Sequence, residues 1–106
     1  NSAIKEESSE TIRARVNRAR DIQNERYKGT GITCNARLTP AMLKKYCVMT
    51  DDASKYLGLS FERLGMSARA YDRILKVART IADLDDCDRI NSDHLAEAIR
   101  YRTINL

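Results

Sequence analysis

Apolar residues recur at helical spacing along most of the chain. Ile12, Val16, Ala19, Ile22 and Tyr27 form the first such series, which predicts an amphipathic helix. Ser8 or Ser9 can cap its start, and Glu10 suits the positive end of the helix dipole. Residues 28–37 hold Gly29, Gly31 and Asn35 with little helical period and read as a loop. Thr39-Pro40 is a capping hydroxyl followed by proline at the first helical position. Met42, Leu43, Tyr46 and Cys47 give that short helix its dry face. Thr50, with Asp51 and Asp52, opens a third helix, and Tyr56, Leu57, Leu59, Phe61 and Leu64 supply its apolar surface. Gly58 weakens it, since glycine inside a helix costs about 1 kcal/mol relative to alanine. A fourth helix runs from Ala68 to about Leu84, with Tyr71, Ile74, Leu75, Ala78 and Ala82 facing a core. Asp85-Asp86-Cys87-Asp88 breaks it. Ser92 and Asp93 open a last helix that buries Leu95, Ala96, Ala98 and Ile99, with Arg100 and Arg102 near its C-terminal end, where cations are favoured. Asn1–Glu7 reads as a frayed or cut end and Thr103–Leu106 as a tail. No alternating β-branched run or hairpin turn is present. The expectation is an all-α bundle of about five helices, forming one domain over residues 1–106.

Hydrophobic residues make up 42% and charged residues 32% of the 106 positions, a globular composition. No apolar run reaches bilayer length and nothing resembles a signal peptide, so a cytoplasmic protein without membrane contact is expected. Cys34, Cys47 and Cys87 are odd in number and form no C-x-x-C pair. They read as reduced thiols. His94, the only histidine, is expected to be a partly exposed helix residue. A Cys87/His94 metal pair lacks further ligands at suitable spacing, and the acidic loop lacks the glycine and spacing of a calcium site. No metal site is expected.

The net charge of +4 is uneven: residues 1–50 carry 10 Lys/Arg against 5 Asp/Glu, hence +5, and residues 51–106 carry 9 against 10, hence −1. The first helix holds Arg13, Arg15, Arg18, Arg20 and Arg26. Arg13, Arg18 and Arg20 point away from the apolar stripe, while Arg15 and Arg26 flank it. These side chains suit nucleic-acid phosphates or the acidic side of a neighbouring subunit. They serve equally as a solvated face.

Leu64-Gly65-Met66-Ser67-Ala68-Arg69 is the most informative stretch. Gly65 reads as a helix stop free to take positive φ, and Ser67 as the cap of the next helix. Arg69 then falls in the first helical turn, where a cation is mildly unfavourable unless an anion joins it. A helix N-terminus plus a guanidinium fork makes a phosphate site. At about 100° per residue, Arg69, Arg73 and Lys76 share one side of this helix. The alternative is that Arg69 pairs with Asp72 and the line is simply solvated.

The run from Leu64 to Leu84, LGMSARAYDRILKVARTIADL, resembles the C-terminal region of magnesium-chelatase-like AAA+ ATPases of the ComM/YifB type. Ile90–Arg102, INSDHLAEAIRYR, fits the same pattern, as do Ser8-Ser9-Glu10 and Ile12–Val16. The resemblance implies a helical lid closing over ATP and Mg²⁺ on an upstream core of the same polypeptide, in a homo-oligomeric ring. It implies that Arg69, at the sensor-2 position, reaches the γ-phosphate, and that the parent protein remodels DNA. The chain itself has no G-x-x-x-x-G-K-[ST] and no Walker-B strand. It is expected to bind no nucleotide tightly and to hydrolyse none alone, as a fragment of a longer ATPase. The alternative is a free-standing basic helical module for nucleic acid or a protein partner.

Overall fold

The computed structural model describes residues 8–104, with side chains described through Tyr101. The expectations for Asn1–Glu7 and for the last two residues lie outside it. Among the described residues there are five α-helices: α1 (Ser9–Arg26), α2 (Pro40–Tyr46), α3 (Asp51–Leu64), α4 (Ala68–Leu84) and α5 (Ser92–Ile104). A 3-10 turn, Asn35–Arg37, interrupts the expected loop. The last helix continues into the stretch expected to be a tail. The all-α expectation holds.

Local chemistry sets the helix starts. Ser8, Thr39, Thr50 and Ser67 each accept a hydrogen bond from a first-turn amide through the side-chain oxygen, satisfying a donor that the helix leaves open. At the end of α3, Gly65 takes φ 62 and ψ 42. The Met66 amide then donates to Phe61 O at 3.1 Å and the Gly65 amide to Glu62 O at 3.4 Å, the paired bonds of a Schellman stop. Met66 itself is buried. This closes α3 and turns the chain into α4 within three residues.

α4 is the central element, with α1, α2, α5 and the 3-10 turn all packed against it. Its Ile74, Leu75, Ala78 and Ala82 are buried with Leu43, Leu57, Ile90, Leu95 and Ala98. Ile90 N donates to Val48 O at 2.9 Å and Thr50 N donates to Ile90 O at 3.0 Å, tying the segments that lead into α3 and α5.

Two apolar series differ from expectation. Ile12 and Val16 are 46% and 40% exposed, because only the second half of α1 reaches the bundle and Ala19 is its one buried residue. On α3, Tyr56, Leu59, Phe61 and Leu64 are exposed while Ala53 and Leu57 enter the core. No helix among the described residues is long and apolar enough to cross a membrane.

Candidate functional site

Arg69 is the second residue of α4, directly after the Ser67 cap. Ser67 Oγ accepts from the Ala70 amide at 3.1 Å, and Ser67 O accepts from the Tyr71 amide at 3.0 Å. The amides of Ala68 and Arg69 have no acceptor one turn back in the helix and lie at its positive end. The Arg69 side chain is exposed, and among the described residues it makes no ion pair. The pairing with Asp72 is not formed. Arg73 is exposed and Lys76 half-buried on the same side of the helix. A cationic line therefore starts at an unneutralised helix end, an arrangement suited to an anionic oxygen cluster.

The arginines of α1 divide into two kinds. Arg13 and Arg20 are exposed and carry no ion pair among the described residues. Arg18 Nη1 donates to Asp86 Oδ2 at 3.3 Å, with both side chains largely exposed. Arg15, half-buried, feels the Asp85 carboxylate. The acidic loop after α4 thus takes up part of the positive charge of α1.

Arg26 is anchored inside. It grips Asp83 with two bonds, Nη2 to Oδ1 at 2.6 Å and Nη1 to Oδ2 at 2.9 Å, the strong fork geometry of guanidinium and carboxylate. Burial pulls the Arg26 pKa down, but the hydrogen bond and charge of Asp83 more than reverse this, so it ends raised. Asp83 also accepts from Arg79 Nε at 3.2 Å and from Asn35 Nδ2 at 2.9 Å. Arg79, 2% exposed, donates to the carbonyls of Cys87 at 2.7 Å and Asp88 at 2.9 Å. Tyr27 donates its phenol to Asn35 Oδ1, and burial raises its pKa. This network binds α1, the 3-10 turn and the loop after α4 to one carboxylate. Sequence reading placed neither Arg79 nor Asp83 inside. The available signal was their spacing of four on one helix, the separation at which such a pair meets.

His94 is also corrected: it is 3% exposed rather than partly exposed. Its Nδ1 accepts from the Asn91 amide at 3.0 Å, while Asn91 Oδ1 accepts from the His94 amide at 3.0 Å. This is a capping box with histidine in the place usually held by Glu or Gln. With Nδ1 accepting, Nε2 carries the proton and donates to Asp85 Oδ2 at 2.9 Å. That bond is the chief reason the Asp85 carboxyl sits below its usual range. Cys87 Sγ lies 3.5 Å from the same oxygen. The fold therefore supplies the third ligand type that spacing alone did not: Asp85, Cys87 and His94 have donor atoms all within 4.8 Å of one another. A cation on Nε2 would leave the ring proton on Nδ1, facing the Asn91 N–H. The trio is better suited to bracing α5 against the loop than to metal binding.

Residues 6–102 match the family model described as magnesium chelatase, subunit ChlI C-terminal. The chain belongs to this family. It is 45% identical to YifB of Salmonella typhimurium over 97% of its own length. It is 39% identical over 98% of its length to the competence protein ComM of Haemophilus influenzae. It spans about a fifth, 20%, of each of these relatives. The likeness read from the Leu64–Leu84 and Ile90–Arg102 segments thus stands at the level of the ChlI C-terminal family of ComM/YifB type. The matched region takes in α1 to α4 and α5 as far as residue 102.

Proposed function

We propose that this ChlI C-terminal domain is the helical lid of a ComM/YifB-type AAA+ ATPase, with Arg69 as its nucleotide-sensing residue. The single observation that carries the reading is an exposed, ion-pair-free arginine in the first turn of the helix on which the bundle is built. The domain supplies one guanidinium and the free amides of a helix start. Both favour negative charge, most strongly where water is excluded by closure. The Schellman turn at Gly65 and the Ser67 cap fix where that helix begins, so Arg69 is held by backbone geometry rather than by a flexible loop. ATP and Mg²⁺ would be held by the core of the parent protein, since no phosphate-cradling loop occurs in this sequence. Closing and opening of the lid would report nucleotide state to neighbouring subunits of a ring. The likeness to a competence protein supports a DNA-remodelling role for the parent.

The test is Arg69→Ala and Arg69→Lys in the full-length parent. Loss of one donor aimed at developing charge lowers kcat by about 10²–10³. Lysine restores little, because it lacks the planar fork. Unchanged ATP turnover with a normally folded domain removes the reading.

A further inference from the structure

Resting on the reading of Arg69 above, we propose that Phe61 and Leu64, at the corner between α3 and α4, form the apolar surface on which the nucleotide-bearing core of the parent protein docks. Of the eight exposed large apolar side chains among the described residues, four belong to α3: Tyr56, Leu59, Phe61 and Leu64. They are not equivalent. Phe61 and Leu64 follow Leu57 by four and seven positions, so they continue the stripe that buries Ala53 and Leu57. Leu59 lies about 200° round the helix from Leu57. α3 packs against α5, yet the last turn of its inward stripe is left uncovered, with Phe61 36% and Leu64 47% exposed.

This uncovered turn adjoins Arg69. The Phe61 ring meets the Tyr71 ring edge-on, with centroids 5.5 Å apart, and Tyr71 is two residues past Arg69. The Met66 amide donates to Phe61 O at 3.1 Å, and the Met66 side chain is buried at the bend. Between Leu64 and Arg69, the residues Gly65, Ser67 and Ala68 are small and exposed, so nothing bulky keeps a second surface from reaching both. The exposed stripe of α1, Ile12 and Val16, belongs to the opposite end of α4, where Arg18 holds Asp86 at 3.3 Å. The apolar turn of α3 thus shares its end of the bundle with the sensing cation, and that of α1 does not.

Charge selects the occupant. From Phe61 to Arg73, three arginines, Arg63, Arg69 and Arg73, stand against Glu62 and Asp72. Among the described residues none of these five makes an ion pair. A second copy meeting this corner through the same patch would set like charges opposite each other. A protein surface that carries a triphosphate brings the opposite charge. This chain covers 20% of YifB and of ComM, and that surface is assigned to the rest of the parent. Apolar anchors beside charged contacts are the makeup of an interface centre. Seating Phe61 and Leu64 also expels water from around Arg69, which strengthens its attraction for phosphate oxygen.

Hydrogen exchange of the full-length parent, with and without a non-hydrolysable ATP analogue, tests the surface. In the wild type the analogue slows exchange of the 61–69 amides at least about tenfold. Leu64→Gln loses that protection and raises KM for ATP about tenfold. Leu59→Gln, more exposed on the same helix, retains the protection and the wild-type KM. Circular dichroism confirms that both variants remain folded. Sedimentation of the 106-residue chain gives a monomer; a dimer that is lost in Leu64→Gln overturns the proposal in favour of a second copy. Protection absent in the wild type, kept in Leu64→Gln or lost in Leu59→Gln also overturns it. Unchanged turnover in Arg69→Ala, with protection still lost in Leu64→Gln, removes the nucleotide role of Arg69 and leaves the docking surface standing.

Discussion

Arg26 and Asp83, 57 positions apart in sequence, meet at 2.6 Å with the carboxylate wholly buried. A second guanidinium, from Arg79, reaches the same oxygen at 3.0 Å. Asp83→Asn would leave two guanidinium groups facing a neutral amide inside the protein. Removing one partner of a buried pair costs about 3–5 kcal/mol, a large share of the stability of a small domain. Urea denaturation should show this loss for Asp83→Asn. Arg26→Met should cost less, because Asp83 keeps Arg79 and Asn35. Equal stability of wild type and Asp83→Asn would mean the network contributes nothing.

The two helical glycine positions should respond in opposite directions. Gly58 lies inside α3 with ordinary backbone angles and nothing within 4 Å of an added Cβ. Gly58→Ala should therefore stabilise by about 0.5–1 kcal/mol. Gly65 has equal room but a φ of +62, where a side chain is strained. Gly65→Ala should destabilise by about 1–2 kcal/mol. Thermal melts of the two variants check this, and a shared sign would refute it.

His94 holds Asp85 in its charged form, which makes the clasp acid-sensitive. A carboxyl whose folded pKa is depressed contributes stability above its unfolded pKa and loses it as pH falls through the folded value. For Asp85 this window begins near the ordinary aspartate value of 3.8 and extends below it. The stability gap between wild type and Asp85→Asn should be constant from neutral pH to about pH 5, then shrink below about pH 4. A gap that widens in acid would contradict the assignment. Because the carboxylate is exposed, the effect should be small.

Burial pushes the Cys47 thiol up to about 11, against the pull of Arg79 and Arg26. The thiolate is the reactive form, so Cys47 should resist iodoacetamide at pH 8 in the folded protein and react fully in denaturant. Mass spectrometry of the alkylated peptides distinguishes the sites. The sign follows from linkage: a thiol with a raised folded pKa adds stability below its ordinary value of 9.0 and loses it as pH climbs toward the folded one.

How legible the protein was depends on the range of the forces involved. The four capping hydroxyls, the Gly65 stop and the span of α4 from Ala68 to Leu84 all follow from interactions within about one turn. Those were readable, and with them the position of Arg69 at a helix start. The family likeness rests on the same stretch. His94 was misjudged because a histidine in a capping box looks, in sequence, like any polar residue in a first turn. The stripe of α1 was misjudged at Ile12 and Val16, since periodicity shows that a face exists but not how far a partner extends along it.

Short-range chemistry in the chain thus determined which segments are helices, where they begin and end, and which arginine sits at an open helix end. The folded arrangement alone decided which charges are free. Arg26 and Arg79 look as available as Arg69 in a string of letters. They are neutralised only because Asp83 lies against them, and a charge inside a protein is tolerated only where distant parts of the chain supply its partners.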